Sequence, residues 1–245
     1  MIINMKTLNI IVPAYNEEDN IDSTIKELVS IQPEIAINYK IIVINDNSHD
    51  NTQHIVEKVI QDHTNVVLIN RKGNHGLGRC ISRGFEEVID GYVCVVMADL
   101  ADDIADIPIM LSKLEQGADL VSASRYLKGG KAGHHNKLKG ALSRLLGFAL
   151  KICTGMPTCD ATNAFKMYRS SLINEIGYLK SDNYTSGLEV LVKAYCNDSK
   201  IEEIPTKWND RNFGSSSFKI IRVAPEYIYW FLWTIYNVWK YRLFK

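Results

Sequence analysis

The sequence has little of what would place it at a glance. It lacks net charge, because 28 Lys and Arg balance 28 Asp and Glu; no global field draws it to nucleic acid, and an anionic partner must be met locally. It lacks a cysteine framework. Cys80, Cys94, Cys153, Cys159 and Cys196 are odd in number and scattered, which suits neither disulfides nor a zinc site and points to a reducing compartment. The opening MIINMKTLNIIVPAYNEE has no long apolar run before charge is reached, so neither a signal peptide nor a spanning helix is expected there, and the cytoplasm is the expected location. No internal repeat or composition break is visible. One large domain is expected over residues 1–224, with a distinct tail over 225–245. The GxGxxG turn of a dinucleotide-binding enzyme is also missing: the acidic PAYNEE follows the first apolar run, which disfavours an NAD-dependent enzyme.

What is present is an alternation. Apolar runs (LNIIVPAY, YKIIVIND, NVVLIN, YVCVVMAD, ADLVSAS) are separated by segments of helical period at 19–31, 52–61, 77–89 and 107–116. Continuous Ile- and Val-rich runs followed by helices predict an α/β fold with a doubly wound, mostly parallel sheet covered on both faces. Ligands of such sheets bind beyond the carboxyl ends of the strands. There the chain places PAYNEEDN, NDNSHDNT, NRKGNHGLGR and ADLADD. Polar loops and helix caps such as Asp19 or Asn51 account for any one of these, but four together on one sheet edge point to a site. A long Gly- and Lys-rich loop follows (124–140), then a helix over 138–154, the segment DATNAFKMYR, a helix near 187–196 and a last strand within 200–208.

The end of the fourth run carries Asp99, Asp102, Asp103 and Asp106 within eight residues. Carboxylates so crowded repel unless a cation sits among them, and Mg²⁺ or Mn²⁺ is commonly held by one or two carboxylates plus substrate phosphates. Asp99, Asp102 and Asp103 are the expected metal ligands, while Asp106, just before Ile-Pro, reads as a helix-start residue. The glycines of GNHGLGR, Gly76 and Gly78, would let backbone amides approach a nucleotide sugar.

These motifs carry a resemblance. IIVPAYNEEDNI, IIVINDNSHDNT, HGLGRCISRGF, VVMADLADDIADIP and SASRY resemble, in order and spacing, the nucleotide-binding half of family 2 glycosyltransferases with the GT-A fold. DATNAFKMYR, GLEVLVKA, IEEIP and DRNFGSSSFK resemble the polyprenyl-phosphate branch typified by dolichol-phosphate mannose synthase. The resemblance implies that Pro13, Tyr15, Glu17 and Asp46 line the base and ribose pocket and that Asp99 is the metal-binding aspartate. It also implies that Asp160 and Glu189 orient loops. One departure stands out: the family has Asp-x-Asp with a Gln two residues on, and this chain has Met97, Ala98, Asp99, Leu100 and Ala101.

The implied reaction moves a sugar, with inversion, from a GDP- or UDP-sugar to a dolichyl or undecaprenyl phosphate. A lipid phosphate is already an anion near neutral pH, so it needs cationic guides rather than a general base. Arg125, Arg144, Arg211 and Lys219 are the candidates, with Asp99, Arg125 and Arg211 as the catalytic set; solvated surface charge is the plainer account of each, and His134 and His135 read as loop histidines. The tail suits a lipid acceptor. Residues 225–245 carry nine aromatics, three of them among the chain's four tryptophans, and the charge-free run 227–239 spans only about 20 Å as a helix. An amphipathic aromatic helix lying in the membrane interface is expected, on the cytoplasmic face, with Lys240, Arg242 and Lys245 toward anionic lipid. Packing on the core or in a homodimer is the alternative for the tail. A glycan hydroxyl acceptor, or nucleotide-sugar binding without catalysis, is the alternative for the whole.

Overall fold

Successive side chains of the first strand point into two different cores, and that alternation organises the molecule. In β1 (Leu8–Ala14) every residue is buried; Leu8, Ile10 and Val12 join one apolar cluster while Ile11 joins the other, the period-two pattern of a strand covered on both faces. In β2 (Tyr39–Asn45), Ile41 and Val43 face the first cluster and Ile42 and Ile44 the second. This computed structural model describes residues 6–133, 137–209 and 220–243. With β3 (Val66–Asn70) and β4 (Tyr92–Val95), the first half forms a parallel sheet in the order β3-β2-β1-β4. Its connections are α1 (Ile21–Ser30), α2 (Thr52–Asp62), α3 (Leu77–Phe85) and, after β4, α4 (Ile107–Glu115). The first, second and fourth pack on one face through Ile25, Leu28, Val56 and Met110, and α3 packs on the other through Ile81 and Phe85. Helix α3 stops four residues short of its expected end, leaving Ile89 97% exposed.

The second half contains β5 (Leu120–Ser124), α5 (Lys137–Thr154), β6 (Lys166–Arg169), α6 (Ser170–Ile176), α7 (Ser186–Cys196), β7 (Ile201–Pro205) and α8 (Ile220–Leu243). The sheet continues β4-β6-β5-β7, with β6 antiparallel to both neighbours and β7 parallel to β5. The mostly parallel α/β sheet agrees with the expectation; the reversed strand was not anticipated. Its effect on the site is direct. Lys166 opens β6 opposite Val95, the last residue of β4, so residues 160–165 arrive at the edge where the parallel strands end.

Helix α8 begins five residues before the expected boundary and contains Pro225. Val223, Trp230, Thr234 and Val238 are buried where α8 packs on α5 and α7. The opposite face exposes Ile221, Ile228, Leu232, Tyr236, Trp239 and Leu243. Helix α5 carries a second exposed apolar stripe, Leu138, Leu142, Leu145, Phe148 and Ile152, which the sequence reading passed over although its spacing of three and four is that of one helix face. Among the described residues no helix is long and apolar enough to cross a membrane.

Candidate active site

The loops after β1 and β2 are clipped to each other. Asn16 and Asn47 take left-handed φ angles of 53° and 58°, which asparagine tolerates better than most residues. With the chain so turned, Asn16 N–H donates to Ser48 Oγ (3.0 Å) and His49 N–H to Asn16 Oδ1 (2.9 Å). Glu17 N–H donates to Thr52 Oγ1 (2.9 Å), Glu18 N–H to Asp50 Oδ2 (3.1 Å), and Asn51 N–H back to Glu18 Oε2 (3.0 Å). Glu18 and Asp50 are therefore spent on the loops. Pro13 is buried at the end of β1, Glu17 is half-buried, and Tyr15 is 41% exposed beside two histidines. Its ring centroid lies 4.4 Å from that of His75 and 6.5 Å from that of His49.

Asp46, buried at the end of β2, is the hub beneath these rings. Its carboxylate accepts from Gly76 N–H (2.7 Å) and Arg71 Nε (2.8 Å), with a second Arg71 contact through Nη2. His75 Nδ1 lies 2.8 Å from its carbonyl oxygen. Tyr15, Asp46 and the glycine loop are thus brought together as expected, and Arg71, which the sequence reading did not single out, completes the group. The glycines have a different local reason from the one expected. A Cβ on Gly76 would lie 2.3 Å from the Asp182 carbonyl oxygen, and one on Gly78 1.9 Å from that of Ser181. What these glycines admit is the backbone of residues 181–182.

At the end of β4 the chain turns through Leu100, whose φ of 58° is unusual for a branched residue and marks a held conformation. Asp99 and Asp102 are both buried there, and Asp103 is half-buried. Ala101 N–H donates to Asp99 Oδ1 (3.2 Å) and Met97 N–H to Asp102 Oδ2 (3.1 Å). Burial, then the neighbouring Asp99 charge, pushes Asp102 up to about 7. Two buried hard-oxygen donors side by side, one of them holding its proton more tightly because of the other's charge, fit a hard divalent cation. Among the described residues no group of three or more His, Cys, Asp or Glu is placed to hold an ion by itself, so phosphate and water would complete the coordination. Asp106 occupies the N-cap position of α4, the helix start read from the sequence, without a side-chain capping hydrogen bond.

Arg125 follows β5 and is gripped by Asp160: Nε to Oδ2 is 2.7 Å, Nη2 to Oδ1 is 2.8 Å, and the Arg125 N–H also donates to Oδ2 at 3.1 Å. Nη2 reaches Ser143 Oγ and Thr162 Oγ1 as well, at 3.3 and 3.2 Å. With Asp160 fully buried, this is a bidentate pair that fixes the turn after β5. Despite burial, the Arg125 guanidinium holds Asp160 below the usual carboxylate range. Arg144, on α5, is an exposed cation at this corner. Its guanidinium carbon lies 5.9 Å from the Tyr126 ring centroid, and that of Arg125 lies 5.3 Å from the same ring. Arg211 and Lys219 lie outside the described residues, as do His134 and His135. The chain enters the stretch containing Arg211 from Asn209, whose N–H donates to the Ala101 carbonyl in the acidic loop (2.8 Å).

Two further charged residues were missed. Lys166 is buried on β6, and its ammonium donates to the Ala161 carbonyl (3.3 Å) and to that of Asn163. Burial lowers it to about 8, opposed by the Asp160 charge. Glu203 on β7 accepts from Thr158 Oγ1 (2.5 Å) and Cys159 N–H (2.8 Å), bracing the turn that carries Asp160. The available signal was a lysine inside the apolar run AFKMY. Glu189, which the resemblance assigned to loop orientation, is buried and accepts from Lys180 N–H (2.7 Å) and Ser181 N–H (2.7 Å).

The profile of glycosyl transferase family 2 matches residues 9–177, the stretch from β1 through α6 that builds this edge. Among solved structures, glucosyl-3-phosphoglycerate synthase from Mycobacterium tuberculosis is similar in fold. Its complex with Mn²⁺, UDP and glucosyl-3-phosphoglycerate aligns at a TM-score of 0.69 and 16% identity, over 94% of this chain and 80% of that one. Its complex with Mg²⁺ and UDP aligns at 0.70 and 16%, over 94% and 79%. Its complex with Mn²⁺, UDP-glucose and glycerol 3-phosphate aligns at 0.69 and 16%, over 94% and 80%.

Proposed function

Because this chain belongs to glycosyl transferase family 2, we propose that it moves a sugar from a UDP- or GDP-sugar to a polyprenyl phosphate at a membrane surface. The observation that carries the acceptor is the pair of exposed apolar stripes on α5 and α8, two helices that pack against each other through their other faces, with Arg144 on the same α5. An acceptor with a long apolar chain lives in the bilayer, and an enzyme that uses it must hold its active edge at headgroup level. Tyr236 and Trp239 on the exposed face of α8 suit that level, and Lys151 and Lys240 flank the stripes with positive charge.

In this reading Tyr15 and His75 offer the rings on which the base rests, above the Asp46, Arg71 and Gly76 group. Asp99 and Asp102 would hold Mg²⁺ or Mn²⁺, the ions present in the structurally similar synthase complexes; bound there, the ion would stabilise the diphosphate leaving group. Arg144 guides the acceptor phosphate together with Arg211 and Lys219, while the Asp160 clamp on Arg125 keeps Tyr126 and its neighbours in place. The acceptor brings its own negative charge, so the chain's task is orientation and desolvation. The phosphate esters bound in complexes of the similar synthase, phosphoglyceric acid and glycerol 3-phosphate, share the anion and not the lipid.

The test is a screen of UDP- and GDP-sugars with Mn²⁺ or Mg²⁺ against a short polyprenyl phosphate, 3-phosphoglycerate and a glycan acceptor. Sugar on the lipid phosphate is expected. Product only on 3-phosphoglycerate or on the glycan overturns the lipid reading, and nucleotide-sugar binding without product overturns catalysis.

A further inference from the structure

The buried side of α8 connects to the nucleotide pocket through one irregular segment, residues 178–185. From the α8 side, the Trp230 indole N–H donates to Ser181 Oγ at 2.8 Å, Tyr227 OH to the Tyr184 carbonyl at 3.4 Å, and Thr185 Oγ1 bonds Glu226 Oε2 at 2.6 Å. From α7, Glu189 takes the N–H groups of Lys180 and Ser181, and Lys193 Nζ donates to the Tyr178 carbonyl at 2.6 Å. The far side of the segment meets α3. Arg79 N–H donates to the Asp182 carbonyl (3.3 Å), and Arg79 Nη2 pairs with the Asp182 carboxylate at 2.6 Å.

We propose that residues 178–185 are a strut that sets the position of the first turn of α3, and that Trp230 is a positioning residue for the nucleotide pocket, acting through Ser181. The contact at the far side leaves no slack. The carbonyl oxygens of Ser181 and Asp182 lie 1.9 and 2.3 Å from where the Cβ atoms of Gly78 and Gly76 would be, backbone packed on backbone, so a shift of the strut toward α3 has to move α3. Gly76 N–H is also the donor to Asp46 Oδ2, so that shift reaches the carboxylate beneath Tyr15 and His75. At the near side, Trp230 is 2% exposed and its indole N–H can only donate, which makes Ser181 Oγ the partner that keeps a buried donor satisfied. The strut explains why the glycines stand at 76 and 78 and why Trp230, the most deeply buried of the described aromatics of α8, lies where it does.

This inference rests on the nucleotide-sugar reading of the pocket, and the experiment separates the two. The full chain is titrated calorimetrically with UDP and with GDP, each with Mn²⁺, well below the midpoint of thermal unfolding of every variant. If the unmodified chain binds neither nucleotide, the pocket reading falls and the strut with it. If it binds, Trp230→Phe, which keeps the ring packing and removes the donor, should weaken binding about five- to tenfold, and Ser181→Ala by a similar factor. The double variant should lose no more than the larger single loss, because both remove one contact. Trp239→Phe is the control: its indole N–H donates to the Cys153 carbonyl on α5 at 3.0 Å, away from the strut, and affinity should not change. Binding by Trp230→Phe equal to that of the unmodified chain, or equal weakening in Trp239→Phe, overturns the proposal. If Trp230→Phe does not fold, Ser181→Ala decides alone, and unchanged affinity in that variant overturns it.

Discussion

Two loop systems of nearly the same sequence span hold the two halves of the active edge, and they differ in burial. Glu18 reaches Asn51 across 33 residues in an exposed setting, whereas Arg125 reaches Asp160 across 35 residues with the carboxylate fully buried. The closure entropy of two loops this alike is similar, so what separates them is the medium around the charge. An exposed clip exchanges protein partners for water at little cost when it breaks. A buried ion pair that loses one member leaves a charge without solvent. The loops after β1 and β2 are thus clipped to each other by several exposed contacts, and the turn after β5 is held by one buried pair.

Removing Asp160 is the most severe way to test that contrast. Asp160→Ala strands the Arg125 guanidinium and should cost about 3–5 kcal/mol of stability, read by urea unfolding; a loss below about 1 kcal/mol would make the clamp an ordinary surface pair. Asp99→Ala should leave the unfolding midpoint nearly unchanged and reduce turnover by about a hundred- to a thousandfold. Full turnover in that variant, or undiminished turnover in EDTA, removes Asp99 from the metal site. Glu18→Ala breaks only the exposed clip and should cost about 1 kcal/mol or less. A loss as large as that of Asp160→Ala would erase the difference between the halves.

The smallest effect is in pH. The folded protein holds the Asp102 proton up to about 7, above its unfolded value near 4. This group therefore favours the folded state most at low pH, and that contribution is lost as pH rises from about 4 through about 7. A cation needs the charged carboxylate. The gain in thermal midpoint on adding Mn²⁺ should accordingly be larger at pH 7.5 than at pH 5.5, and an equal gain at both would exclude Asp102 as a ligand.

The same contrast explains what the sequence disclosed. Strands such as IIVP and IIVIN announce themselves because both faces are buried, and the polar ends of such strands had to share an edge; Asp99 and Asp102 were legible on those grounds, whereas Tyr15 and Asp46 were picked out of their loops by the family resemblance. Strand β6 was not, since four residues, KMYR, carry no mark of direction, and direction is set by which edge of the sheet is open when they arrive. With it went Lys166 and Glu203, whose roles depend on that reversal. The glycines at 76 and 78 were visible, but their neighbour at 181–182 lies about a hundred residues away and no local pattern names it. The stripe on α5 was legible by its spacing and was masked by the neighbouring Gly- and Lys-rich loop.

The reversed strand also sets a schedule for synthesis. By the time the ribosome has released Val95, the four parallel strands of the first half can all be paired, yet the outer edge of β4, the wholly buried run YVCV, has no neighbour until Lys166–Arg169 emerges. Over the intervening 70 residues the nascent chain carries an apolar strand edge open to any other extended segment. The interval in which this protein is most exposed to aggregation is therefore built into the order of its strands, and it closes when β6 runs backward into place.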